Sequence, residues 1–91
     1  MNDIHSTLRT SRLRVRHLIL VQRLAELGSM RKAAESLNVS QPAASAMLKE
    51  VESQLGITLF ARSRTGVTPT EAARALLPRI RIILNGVDGL A

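Results

Sequence analysis

The chain has 91 residues, enough for one small domain whose limited core must be completed by tight helix packing or by a partner surface. Thirteen Lys and Arg against seven Asp and Glu give a formal net charge of +6, which favours a polyanionic partner. Cysteine is absent, which excludes disulfide frameworks, cysteine zinc fingers and thiol catalysis and points to a reducing, intracellular setting.

Residues 1–12 are polar and show no apolar period, so they read as a mobile basic tail whose arginines either touch phosphate or stay solvated. No long apolar stretch follows those arginines, so a secretion signal is not expected. No segment approaches the roughly 20 apolar residues of a membrane span, because Leu18 to Val21 runs into Gln22 and Arg23. From Leu13 onward, Leu20, Val21, Leu24, Ala25 and Leu27 recur at helical spacing until Gly28, which predicts a first helix with His17 on its polar edge. Neither His5 nor His17 has a carboxylate or second histidine at ligand spacing, so no metal site is expected.

Ser29 suits an N-cap, Ala33, Ala34 and Leu37 form a narrow apolar stripe, and Asn38 falls where a chain leaving a helix takes a positive φ. A short second helix is predicted there. Ser40 then caps a third, with Pro42 in its first turn and Ala44, Met47 or Leu48, Val51 and Leu55 on its buried side until Gly56. Beyond it, Ile57, Leu59 and Phe60 precede a turn-like Ser63-Arg64-Thr65-Gly66, and Val67 leads into Thr68-Pro69-Thr70-Glu71, which reads as a small β-hairpin or wing. The last helix begins either with Thr68 in a capping box with Glu71 and Pro69 at the first helical position, or with Thr70 as the cap.

In that helix Ala73, Leu77, Ile80, Leu84, Val87 and Ala91 are spaced four, three, four, three and four apart, with Leu76, Ile83 and Leu90 beside the seam. Such a seam is wider than a small neighbouring domain covers, and roughly 1.5 to 3 kcal/mol for each large apolar side chain makes exposure costly. A partner helix is therefore expected, with Ala73, Leu76, Leu77, Ile80, Ile83, Leu84 and Val87 as dimerisation candidates. Pro78 removes one backbone hydrogen bond and predicts a bend rather than an end. Gly86 and Gly89 weaken the last turns.

The two central helices have the spacing of a helix-turn-helix: Ala33, Leu37, Val39, Ala44 and Met47 sit where the crossing needs apolar contacts, with small Ala34 at the crossing and Asn38 in the turn. The second of these helices opens with Ser-Gln-Pro-Ala-Ala-Ser, uncharged and compact. In this motif that end enters the DNA major groove, where bulky side chains would hold the backbone away from the base edges. Gln41 can pair with adenine, Ser40 and Ser45 can donate to bases or phosphates, and Pro42 or Ala43 can lie against a thymine methyl. Arg31, Lys32, Lys49, Arg62 and Arg64 surround this end as phosphate or minor-groove candidates, Arg64 at the wing tip being the minor-groove choice and Arg62 an alternative brace for the wing.

Phe60 is the one aromatic residue and is assigned to the core, so a stacking platform for single strands is lacking. No phosphate-cradling glycine loop, acid–base pair or serine elbow is present, and neither enzymatic activity nor a cofactor is expected. Three competing readings predict something else. An ordinary helical hairpin would use Ser-Gln-Pro only as a cap, an interaction module would use its charge only for solubility, and a basic amphipathic anchor would bind anionic membrane. The last fits poorly, because the arginines flank several helices instead of one polar face.

Arg16-His17-Leu18, Gly28-Ser29, Ala33-Ala34-Glu35, Leu37-Asn38-Val39-Ser40-Gln41-Pro42-Ala43, Ser45, Glu52, Leu55-Gly56, Leu59-Phe60, Arg62 and Thr70-Glu71-Ala72 together resemble the N-terminal domain of LysR-type transcriptional regulators. The resemblance extends from about Leu13 onward, its most specific part being the spacing from Ala-Ala-Glu to Ser-Gln-Pro. It implies a mainly α fold: a winged helix-turn-helix over residues 13–69 with a small two-stranded wing, and a long C-terminal linker helix over 70–91 that pairs two subunits. It also implies a bacterial cytoplasmic regulator that binds interrupted palindromes in double-stranded DNA, as a homodimer here and as a tetramer in a full-length parent. Its small-molecule effector would be bound by a further C-terminal domain, so the chain is expected to be a DNA-binding fragment. This sequence departs from the family pattern at Ala46, where many members have a basic residue, at Val21 in place of a common Phe, and at Ala73 in place of a common glycine. The first departure implies one fewer base or phosphate contact.

Overall fold

The computed structural model describes residues 13–90, with side chains through residue 86. The tail expected over residues 1–12, Ala91 and the side chain of Val87 lie outside the described residues. The order of elements is α1 (Val15–Leu27), α2 (Met30–Ser36), α3 (Gln41–Leu55), β1 (Phe60–Ser63), β2 (Gly66–Pro69) and α4 (Glu71–Leu90). This is a mainly helical winged helix-turn-helix.

The helix boundaries follow from local chemistry. Gly28 takes φ 64° and returns its N–H to Leu24 O at 2.9 Å, which ends α1. Ser29 Oγ accepts from Lys32 N and Ser40 Oγ from Ala43 N, each at 3.1 Å, so both predicted caps form. Asn38 adopts φ 56° in the turn between α2 and α3, and Gly56 at φ 70° closes α3. At the start of α4 the cap is Thr70, not Thr68: its Oγ1 accepts from Ala73 N at 3.2 Å and donates to Thr58 O at 2.7 Å. Pro69 is thereby left in β2, paired with Phe60. The strands are antiparallel, with Ser63 opposite Gly66 and Arg64-Thr65 forming the turn.

Helix α1 is the centre of the core and packs against α2, α3, α4 and β2. Leu18, Leu20, Val21 and Leu24 from α1 meet Ala33 and Ala34 from α2, Ala44, Leu48 and Val51 from α3, and Leu59 from the loop before β1. Of the pair Met47 and Leu48, Leu48 is the buried one and Met47 is half-buried.

Two expectations need correction. His17 is not on a polar edge but buried between α1 and α3, where its Nδ1 accepts the backbone N–H of Arg14 at 3.0 Å. That leaves Nε2 as the N–H that donates to Glu50 Oε2, also at 3.0 Å. A carboxylate thus does lie beside His17, brought there from 33 residues away. Secondly, among the described residues the chain itself takes up part of the α4 seam: Ala73, Ile80 and Leu84 are buried in its own core, and Leu76, Leu77 and Ile83 are half-buried against it. Helix α4 continues through Pro78, and Ile82 remains 69% exposed.

Candidate nucleic-acid interface

The buried side of α3 is Ala44, Leu48, Val51 and Leu55, a spacing that leaves the N-terminal end and one long face of the helix outward. Ser40, Gln41, Pro42 and Ala43 are exposed at that end, and Ser45 is half-buried just behind them. The Ser40 hydroxyl accepts from Ala43 N, so its own hydrogen is left to donate outward. Pro42 adds no N–H that would need a partner in the first turn. The helix therefore presents a small, uncharged end with an amide and two hydroxyls on it.

Exposed cations lie on α2, on α3 and on the wing. Arg31 and Lys32 lie in the first turn of α2, Lys49 lies farther along α3, and Arg62 and Arg64 lie on the wing. Arg31 pairs with Glu35 at 3.0 Å across one helical turn, but both side chains are more than half exposed. Such a pair contributes at most about 1 kcal/mol and yields readily to a phosphate. Lys32, Lys49 and Arg64 have no carboxylate partner among the described residues. Arg31, Gln41, Arg62 and Arg64 share one groove between α2, the start of α3 and the wing. Arg62 does brace the wing, since its Nη2 donates to Ser45 Oγ at 3.2 Å.

The wing is held in register by contacts invisible in the local sequence. Val67 N donates to Gly28 O at 3.1 Å, which ties β2 to the turn between α1 and α2. Glu52 Oε2 accepts from Leu59 N at 2.7 Å and Phe60 N at 3.3 Å, which ties the approach to β1 to α3. Arg16 Nη2 donates to Leu37 O at 3.0 Å and so satisfies a carbonyl at the end of α2. None of Arg16, Glu50 or Glu52 stands out from periodicity, because each partner lies on a different element. Among the described residues no group of His, Asp or Glu is placed to hold a metal ion, and no helix is long and apolar enough to cross a membrane.

Residues 15–74 match the model of a family described as bacterial regulatory helix-turn-helix protein, lysR family. The chain is 42% identical over 78 residues to the small neutral protease regulatory protein of Streptomyces coelicolor, covering 86% of this chain and 24% of that protein. It is 43% identical over 78 residues to the HTH-type transcriptional regulator GbpR of Azospirillum brasilense, covering 86% of this chain and 23% of GbpR. The chain thus spans about a quarter of the length of the curated relatives it matches. Among solved structures, the CbnR DBD in complex with DNA superposes with a TM-score of 0.78 at 37% identity, covering 85% of this chain and 91% of that one.

Proposed function

The chain belongs to the LysR family of bacterial regulatory helix-turn-helix proteins, and we propose that it reads double-stranded DNA by inserting the N-terminal end of α3 into the major groove. The observation that carries this reading is the exposure of Ser40, Gln41, Pro42 and Ala43 at an uncharged helix end whose Gln41 shares a groove with Arg31, Arg62 and Arg64. Arg31, Lys32 and Lys49 grip the strands without sequence information, while the small end approaches the base edges. Gln41 is assigned to adenine, Ser40 and Ser45 to bases or phosphates, Pro42 and Ala43 to a thymine methyl, and Arg64 to the minor groove.

Two copies pair through α4, using the outward remainder of its apolar surface, Leu76, Leu77, Ile82 and Ile83, which the chain's own core leaves wholly or partly uncovered. Twofold pairing places two recognition helices about one turn of DNA or more apart and predicts an interrupted palindrome. The protein acts in the bacterial cytoplasm as a transcription regulator.

Selection of binding sites from a random DNA pool tests this directly. An interrupted palindrome is expected, with affinity falling roughly 10³- to 10⁵-fold between 50 and 200 mM salt if the pair neutralises about six to ten phosphates. A pool that stays random, or an affinity indifferent to salt, refutes the reading.

A further inference from the structure

Pro42, Ser45, Ala46 and Lys49 form the outward stripe of α3, opposite the buried Ala44, Leu48 and Val51. The stripe has no guanidinium of its own. Ala46 offers only a methyl, and Lys49 lies nearly a turn farther from the helix end. Arg62 comes to this gap from the wing. It lies two residues after Phe60 on β1, and the burial of Phe60 fixes the strand from which it projects. Its Nη2 donates to Ser45 Oγ at 3.2 Å, and Ser45, Ala46, Lys49 and Arg62 line a single groove between helix and wing. No carboxylate among the described residues occupies the guanidinium.

We infer that Arg62 is a specificity-determining residue: held against Ser45, it reaches past Ala46 and reads a guanine in the major groove. This rests on the docking of α3 proposed above. A guanidinium carries five N–H donors in a fixed fork, so one spent on Ser45 leaves others for the paired O6 and N7 acceptors of guanine. A lysine could not divide its donors in this planar way. The Ser45 hydroxyl, accepting from Arg62, is in turn oriented to donate elsewhere.

The test begins from the site selected by the full chain. Each guanine of a half-site is replaced in turn by 7-deazaguanine, which removes the N7 acceptor, and Kd is measured for the natural chain, Arg62→Met and Arg62→Ala. At one position the replacement is expected to weaken the natural chain by about 2- to 12-fold, as the loss of one hydrogen bond, and to leave both variants nearly unaffected. The preference for guanine at that position should vanish from sites selected by either variant. If Arg62→Met weakens every sequence alike and keeps the selected profile, Arg62 contacts phosphate only and the inference is overturned while the docking stands. If Arg62→Met does not fold, retention of the guanine preference by Arg62→Ala, which leaves only a methyl, overturns it equally. A natural chain that binds DNA without selecting any sequence overturns both the inference and the docking.

Discussion

Gly66 lies so close to Gly28 that a Cβ added to it would overlap the Gly28 carbonyl oxygen, the same oxygen that accepts Val67 N. The wing is thus seated on the turn between α1 and α2 by backbone alone. Gly66 also has φ 139°, a conformation that side chains disfavour. Gly66→Ala is expected to cost about 1 to 3 kcal/mol through strain and displaced pairing. Urea unfolding measures the loss, and an unchanged midpoint would show that the wing can lift off freely.

Glu52 joins α3 to the wing through two backbone N–H groups, those of Leu59 and Phe60. Because both of these residues are buried, an absent acceptor leaves the N–H groups poorly solvated. Glu52→Ala is expected to destabilise the domain by about 1 to 3 kcal/mol, and Glu52→Gln, which retains an acceptor oxygen, by less. Equal losses in denaturant titrations of the two variants would argue against this bonding.

Gln41 and Arg64 should fail in different ways. Gln41→Ala is expected to cost about 1 to 3 kcal/mol on the preferred site and to relax one position. Arg64→Ala should weaken most sequences alike and lower the salt slope by about one, unless a narrow A-tract is read. Competition binding on a panel of single-base variants separates the two, and an unaltered base preference after Gln41→Ala removes that residue from the reading head.

Helix α4 offers a clean and an unclean test of pairing. Leu84 is only 7% exposed, so Leu84→Glu would place a charge in the chain's own core and unfold the domain as well as any dimer. Ile82 is 69% exposed. Ile82→Glu is expected to keep the folded helix content and shift sedimentation toward monomer. A dimer that survives this change would place the contact on another face.

The elements themselves were legible because they depend on contacts a few residues apart. Ser29 and Ser40 cap, Gly28, Asn38 and Gly56 turn the chain, and the apolar stripes of α1 and α3 follow from spacing. The start of α4 was ambiguous for a related reason. Thr68 and Thr70 have similar local credentials, and the choice fell to Thr70 through a bond to Thr58, on the far side of the wing.

By itself, then, the sequence determined the helices, the wing and the exposed uncharged end of α3, since caps, turns and amphipathic stripes are short-range effects. Which polar groups join those elements was decided only by the tertiary structure. His17 was expected at a polar edge and is buried on Glu50; Arg62 reaches Ser45, and Glu52 reaches the approach to β1. How much of the α4 seam the domain itself covers was likewise decided by the packing of α1 and α4, which buries Ala73, Ile80 and Leu84. Periodicity reveals that a face is apolar, but what covers that face depends on where the rest of the chain comes to lie.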